Sequence, residues 1–306
     1  MTNFWRFLLS VFIALFLILT PNARASSLAI AQTSSRNFLD LGVSQMQGGN
    51  YHQAIESFNQ AIKIQSDFAI AYSDRCLAYL HLRDYHQAIA DCTQAINFTP
   101  NNIEAYLSRG IAYYRQRDFF AAITDYNRAI ALKPFDFRAY YNRGVAHTGL
   151  GNYLEAISDY NRALTQISQT PNLFLTDIYN DRGLAYLKLQ NLETAMLDFN
   201  RAIRLDSQDY RAYFNRACAY GSNGDDFDAV RDFSQVIKLN SKNALAYLNR
   251  GLAQYRLGYY QSAIADLHKA SEYFGNQGQK LAYEKTLDLL KSVQQQLQFV
   301  TEIALL

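Results

Sequence analysis

The sequence predicts an all-α solenoid of stacked helix pairs, and three observations carry that prediction. An alanine recurs at Ala54, Ala88, Ala122, Ala156, Ala195, Ala229 and Ala263, in steps of 34, 34, 34, 39, 34 and 34 residues. A fixed period of this length marks a chain that grows by stacking rather than by splitting into separate cores. Small and large residues alternate at helical spacing within each period. Proline, of which the 306 residues include only 4, stays out of the helical stretches. With 49% hydrophobic and 14% aromatic residues the chain is a folding one, not a disordered one.

Ahead of the repeats, residues 1–25 read as an export signal. Arg6 precedes an apolar run from Phe7 to Leu19 that only Ser10 interrupts, Pro21 ends it, and Ala23-Arg24-Ala25 offers a small-x-small cleavage site before Ser26. The run is short for a spanning helix, yet an uncleaved membrane anchor through residues 7–19 stays open as the alternative. Either way the repeats are expected outside the cytoplasm, in a periplasm or an equivalent compartment. Residues 26–34 are expected as a mobile spacer. Arg6 and Arg24 account for the whole excess of 29 basic over 27 acidic residues. The repeats are therefore formally neutral, and nucleic acid is not an expected partner.

With the recurring alanine set at register position 20, seven units span 35–68, 69–102, 103–136, 137–170, 176–209, 210–243 and 244–277. Each holds two helical stretches joined by a turn near position 15, where Gly49, Gly151, Gly224 and Gly258 stand. Position 4 is aromatic throughout: Phe38, Tyr72, Tyr106, Tyr140, Tyr179, Tyr213 and Tyr247. Position 8 is small (Gly42, Cys76, Gly110, Gly144, Gly183, Ala217, Gly251) and position 24 is mostly large (Phe58, Cys92, Tyr126, Tyr160, Phe199, Phe233, Leu267). Small residues at 8, 20 and 27 let two antiparallel helices approach closely, and large ones at 4 and 24 fill the gaps between units.

Over residues 35–277 this pattern resembles the tetratricopeptide repeat family. The resemblance implies antiparallel helix pairs stacked in a right-handed superhelix, with the first helix of each pair lining a concave groove. One departure is position 7, usually leucine in the family. It is Leu41 in the first unit and arginine in the other six: Arg75, Arg109, Arg143, Arg182, Arg216 and Arg250. Each arginine precedes an aspartate by 16 residues (Asp91, Asp125, Asp159, Asp198, Asp232, Asp266), and the first unit lacks both, having Ser57. Joint presence and joint absence point to an ion pair inside each unit that sets the register of its helices, with a net contribution near zero. A ladder of ligand-binding arginines is the alternative.

Two irregularities remain. Pro171, Asn172, Leu173, Phe174 and Leu175 are inserted between units four and five. They are expected as a longer loop or an extended helix, or else as a hinge or exposed apolar contact that divides the array into four units and three. After unit seven, Tyr283, Leu287, Leu290, Val293 and Leu297 recur at helical spacing over about 279–298. This helix, within the segment 278–306, is read as the cap of the last repeat's apolar face.

Nothing in the chain points to catalysis. His52, His81, His86, His147 and His268 make no metal-binding spacing, and no phosphate loop or nucleophile motif is present. No enzymatic activity, metal or cofactor is expected. Cys76 and Cys92 occupy facing positions 8 and 24, either as a disulfide or as two buried small residues, and Cys218 is left over.

By the resemblance, positions 2, 5, 9 and 12 of each first helix face the groove. The expected partner-binding residues are Leu77, Leu80, Leu107, Ile111, Tyr114, Arg138, Tyr141, Val145, Asn180, Leu184, Leu187, Arg211, Phe214, Leu248, Leu252 and Tyr255. This strip is mainly apolar and aromatic, with Arg138 and Arg211 near its edge, and suits an apolar helix or an extended segment with scattered acids. Members that hold a chaperone's terminal carboxylate use Lys and Asn, whereas here position 9 carries no Asn and positions 2 and 5 no Lys, so that activity is not expected. The chain is thus read as an exported, non-enzymatic scaffold or adaptor for a protein or peptide partner. A membrane-anchored assembly scaffold and a self-associating solenoid are the alternatives.

Overall fold

The computed structural model describes residues 32–167 and 173–304. The signal over 1–25, the start of the spacer, and Pro171 and Asn172 of the insertion lie outside the described residues. The described residues form helices without strands. They are α1 (32–47), α2 (Tyr51–Ile64), α3 (Ala69–His81), α4 (Tyr85–Phe98), α5 (Ile103–Arg115), α6 (Phe119–Leu132), α7 (Phe137–Leu150) and α8 (Tyr153–Gln166). There follow α9 (Leu173–Lys188), α10 (Leu192–Leu205), α11 (Tyr210–Asn223), α12 (Asp226–Leu239), α13 (Ala244–Arg256), α14 (Tyr260–Asn276) and α15 (Lys280–Ala304). Two compact units divide between Ala146 and His147, inside α7. This division does not fall at the insertion; the extra residues Leu173 to Leu175 open α9, as an extended helix would, with Leu175 and Ile178 buried. Of the inserted apolar residues Leu175 is buried and Phe174 is exposed. Residues 32–34, expected in the spacer, likewise belong to α1.

Helices begin where polar residues cap them. Asn102 Oδ1 accepts a hydrogen bond from Ala105 N at 3.0 Å, Asn243 does the same for Ala246 N, and Asp84, Asp118 and Asn191 cap the second helices of their repeats. The turn at position 15 needs a left-handed residue. Glycine supplies it at Gly49, Gly151, Gly224 and Gly258, with φ between 75° and 86°. Arg83, Arg117 and Gln190 hold the same conformation at φ 61°, 66° and 61°, at a strain of about 1 kcal/mol each.

Inside each pair the position-8 residue meets the position-24 residue. A Cβ added to Gly110 would lie 2.5 Å from the Tyr126 ring, and one added to Gly183 would lie 2.7 Å from Phe199. Those rings are fully buried because their partners lack side chains. The second repeat solves the same contact covalently: Cys76 and Cys92 are joined by a disulfide, with Cα atoms 5.5 Å apart. At the end of the chain Leu290 and Val293 of α15 bury against Ala263 and Leu267. This helix runs on to Ala304, beyond the expected end near 298.

The recurring arginines reach farther than the sequence spacing implies. Arg109 binds Asp125 through two bonds of 2.8 Å and also donates from Nη1 to Thr93 Oγ1, in the repeat before. Arg75 does the same to Asp91 and Asn59, Arg216 to Asp232 and Asn200, and Arg250 to Asp266 and Ser234. Arg182 pairs with Asp198 and reaches Asn161 across the insertion. Each guanidinium also lies over the tyrosine at position 4, as Arg75 does over Tyr72 at 5.3 Å. One side chain thereby ties three groups in two adjacent repeats. In the first repeat Leu41 and Ser57 replace the pair. Leu41 is exposed, and Ser57 Oγ donates to Gln45 Oε1 at 2.7 Å instead. Burial pushes the Asp125 carboxyl above the usual range against the pull of Arg109, so cost and gain offset each other in the intact pair.

Candidate functional site

Two clefts open on the first-helix faces, one in each compact unit. The first lies between α3 and α5 and has a volume of about 400 Å³. Leu77, Leu80 and Ile111, three of the expected groove residues, form its floor together with Tyr85. Leu77 is 40% exposed. His81, Arg83 and Arg115 stand on its rim, and no carboxylate lines it. His81 stacks on Tyr51 with ring centroids 4.4 Å apart. Arg83 and Arg115 are exposed and make no ion pair among the described residues. Asp74, one turn before Leu77 on α3, has no ion-pair partner among the described residues, and burial pushes its carboxyl up to about 6.

The second cleft, about 340 Å³, brings together Asn180 and Leu184 of α9, Arg211 and Phe214 of α11, and Leu245 of α13. Its polar groups are already occupied by one another. Asn215 Nδ2 donates to Asn180 Oδ1 at 2.9 Å, and Arg211 bonds Asp209 and Asp177. Asn180, only 3% exposed, belongs to this internal network more than to an open surface.

The remaining expected residues do not join either cleft. Leu107 is 4% exposed and sits in the core with Tyr106 and Tyr126, while Tyr114 packs beside it and against Phe119. Leu187 joins the Phe199 cluster, and Leu248 and Tyr255 pack toward α14 and α15. Tyr141, Val145 and Leu252 are half-buried outside both clefts. The physical reason is the contact between successive first helices, α3 on α5 and α9 on α11. At Leu107 this contact covers position 5, whereas Leu80 at position 12 and Phe214 at position 5 stay open to the clefts. Arg138, expected at the groove edge, has its charge matched within the fold. It is engaged by Glu104 at 2.6 Å and by Asp136 at 2.7 Å, which lowers the Asp136 pKa. Sequence reasoning missed the basic rim, although His81 and Arg115 share position 13, and Arg83 and Arg117 share position 15, in consecutive repeats.

Among the described residues no group of three or more His, Cys, Asp or Glu is placed to hold a metal ion, and no helix is long and apolar enough to cross a membrane. Cys218 stays unpaired, its thiol pushed up to about 11 by burial.

No curated protein matches the chain. Family profiles described as tetratricopeptide repeat match residues 71–102 and 107–171, and one described as TPR repeat matches 44–82, 183–224 and 222–258. Among solved structures, a tetratricopeptide repeat protein from Parabacteroides merdae aligns with a TM-score of 0.66 at 20% identity, over 83% of this chain and 99% of its own. Pseudomonas aeruginosa pilF aligns with a TM-score of 0.61 at 17% identity, over 72% and 96%. The APC/C hetero-tetramer Cut9–Hcn1 aligns at 0.65 and 16% identity, over 85% of this chain and 53% of that one. At these identities the likeness speaks for the fold alone. The profile matches lie along the stretch of the seven periods and their stacked helix pairs, and the chain belongs to the tetratricopeptide repeat family.

Proposed function

We propose that this protein is an exported, non-enzymatic scaffold that seats a partner peptide or helix on its first-helix faces. The observation that carries the reading is the pair of clefts floored by accessible apolar side chains at repeat-equivalent positions: Leu77 and Ile111 in one, Leu184 in the other. Side chains that a fold leaves accessible at recurring positions, beside polar groups on a rigid helix, are what a docked helix needs. Two features support export. One is the charged, apolar and small-residue pattern of residues 1–25. The other is the Cys76–Cys92 disulfide, which persists in oxidising compartments and rarely in a reducing one.

The test is a pull-down of the full chain from its native cell envelope, beside an Ile111→Glu/Leu184→Glu variant, with the N-terminus sequenced in the same sample. The expected result is a mature protein starting at Ser26 and a partner captured by the native chain alone, with equal helical melting of both. A partner held equally by the variant would remove the groove reading. A start at Met1 in the membrane fraction would replace the soluble form by an anchored one.

A further inference from the structure

We propose that the cleft between α3 and α5 takes an acidic, apolar segment of a partner protein, its apolar side chain on Leu77, Leu80 and Ile111 and its carboxylates on Arg83 and Arg115. This deepens, and rests on, the reading of the first-helix faces as a docking surface. Three observations meet at this place. The floor is apolar and open, and Tyr85 closes one side. The rim carries two guanidiniums that no acidic side chain of the described residues neutralises, and no carboxylate lines the cleft. Asp84, the residue next to Arg83, spends its carboxylate on the N-terminus of α4 by accepting from Gln87 N at 3.2 Å. Elsewhere the groove-side arginines are satisfied from within, Arg138 by Glu104 and Arg211 by Asp177.

The backbone adds the third observation. Arg83 holds the left-handed conformation, φ 61°, that Gly49, Gly151, Gly224 and Gly258 adopt at the same repeat position. A side chain there is strained where glycine is not. Gln190 shares the conformation without lining a cleft, so the position permits a side chain. At Arg83 that side chain reaches the rim of an apolar cleft and carries a charge that no described residue pairs. Paired guanidiniums favour carboxylates, which they bind through charged hydrogen bonds.

The experiment uses the full mature chain and two fluorescent helical peptides with the same leucine pattern, one flanked by glutamates and the other by lysines. The glutamate peptide should bind and weaken as salt rises, and the lysine peptide should not bind. In Arg83→Gly/Arg115→Ser the affinity for the glutamate peptide should fall about tenfold or more, while the melting temperature does not fall, because glycine relieves the turn. Equal binding of both peptides, or unchanged affinity in that variant, overturns the proposal. Ile111→Ser separates this failure from failure of the docking reading. If Ile111→Ser abolishes binding of both peptides and the arginine variant changes nothing, the cleft docks peptides without charge selection. If the glutamate peptide depends on the arginines and ignores Ile111→Ser, the carboxylates bind outside the cleft and the proposal falls. Sedimentation of the chain alone supplies the last check. A dimer that excludes the glutamate peptide would make a second copy the occupant and overturn it.

Discussion

The two clefts share an aliphatic residue at repeat position 9 and are otherwise lined from different positions, and they differ in whether their polar groups are already spoken for. In the cleft between α9 and α11, Asn180, Asn215 and Arg211 bond to neighbours within the fold. In the cleft between α3 and α5, Arg83 and Arg115 are exposed and have no ionic partner among the described residues. A partner entering the second cleft must match or displace an existing network, whereas one entering the first can supply the missing charges. Arginine thus has two uses in one chain. At position 7 it joins helices across repeats, and at the turn edge of the second and third repeats it is available to something else.

The sharpest way to break this distinction lies within α5 itself. Arg109→Ala should cost about 3–5 kcal/mol of unfolding free energy, because Asp125 is left buried without its cation. Arg115→Ala, on the rim, should change stability by less than about 0.5 kcal/mol. Urea denaturation of the two variants checks both; equal losses would mean that the rim arginine is structural too.

The clefts also differ in covalent support. The wall of the first is stapled by Cys76–Cys92, whereas Cys218 near the second is unpaired. Cys76→Ser/Cys92→Ser should lower stability by about 3 kcal/mol for a loop of this length. Added reductant should have the same effect on the native chain and none on the variant. Thermal melts with and without dithiothreitol measure this.

Packing behind the clefts, by contrast, should respond alike. Gly110→Ala and Gly183→Ala each force a methyl group against a buried ring, Tyr126 or Phe199, and each should cost about 1–3 kcal/mol. A loss at one site and not the other would show that the two units tolerate overpacking differently.

The last expected effect is a pH dependence that arises on α3, at a residue that does not line the first cleft. Asp74 is pushed up to about 6 from an unfolded value of 3.8 by burial without a counter-charge. The folded state therefore holds its proton more tightly than the unfolded chain. This contribution to stability is greatest below pH 4 and is lost as pH rises toward 6. Asp74→Asn should remove that slope and stabilise the protein at neutral pH by about 1–2 kcal/mol, after allowance for partial exposure. Denaturant midpoints between pH 4 and 7 compare the two proteins, and parallel curves would remove Asp74 as the source.

Much of this was legible from the chain. The period of 34 placed the helix pairs, since only a repeated supersecondary unit keeps Ala54, Ala88 and Ala122 in one register. The 16-residue spacing of arginine and aspartate predicted their pairing, and the same spacing brought Cys76 to Cys92. The groove assignment fared less well. Leu107 and Leu77 occupy neighbouring groove columns of the sequence pattern, yet one is core and the other is open.

Local spacing on a helix fixes which residues share a face, because the helix has one pitch and each repeat reuses it. It says nothing of how far the next repeat covers that face, nor which third group a long side chain will reach. Thr93 and Asn59 as partners of the ladder, the engagement of Arg138 by Glu104, and the freedom of Arg83 and Arg115 all depend on contacts between residues of different repeats. Those contacts exist only once the helix pairs are stacked. The periodic sequence was sufficient for the fold and the internal ion pairs, while the tertiary structure alone selected which surfaces and charges remain for a partner.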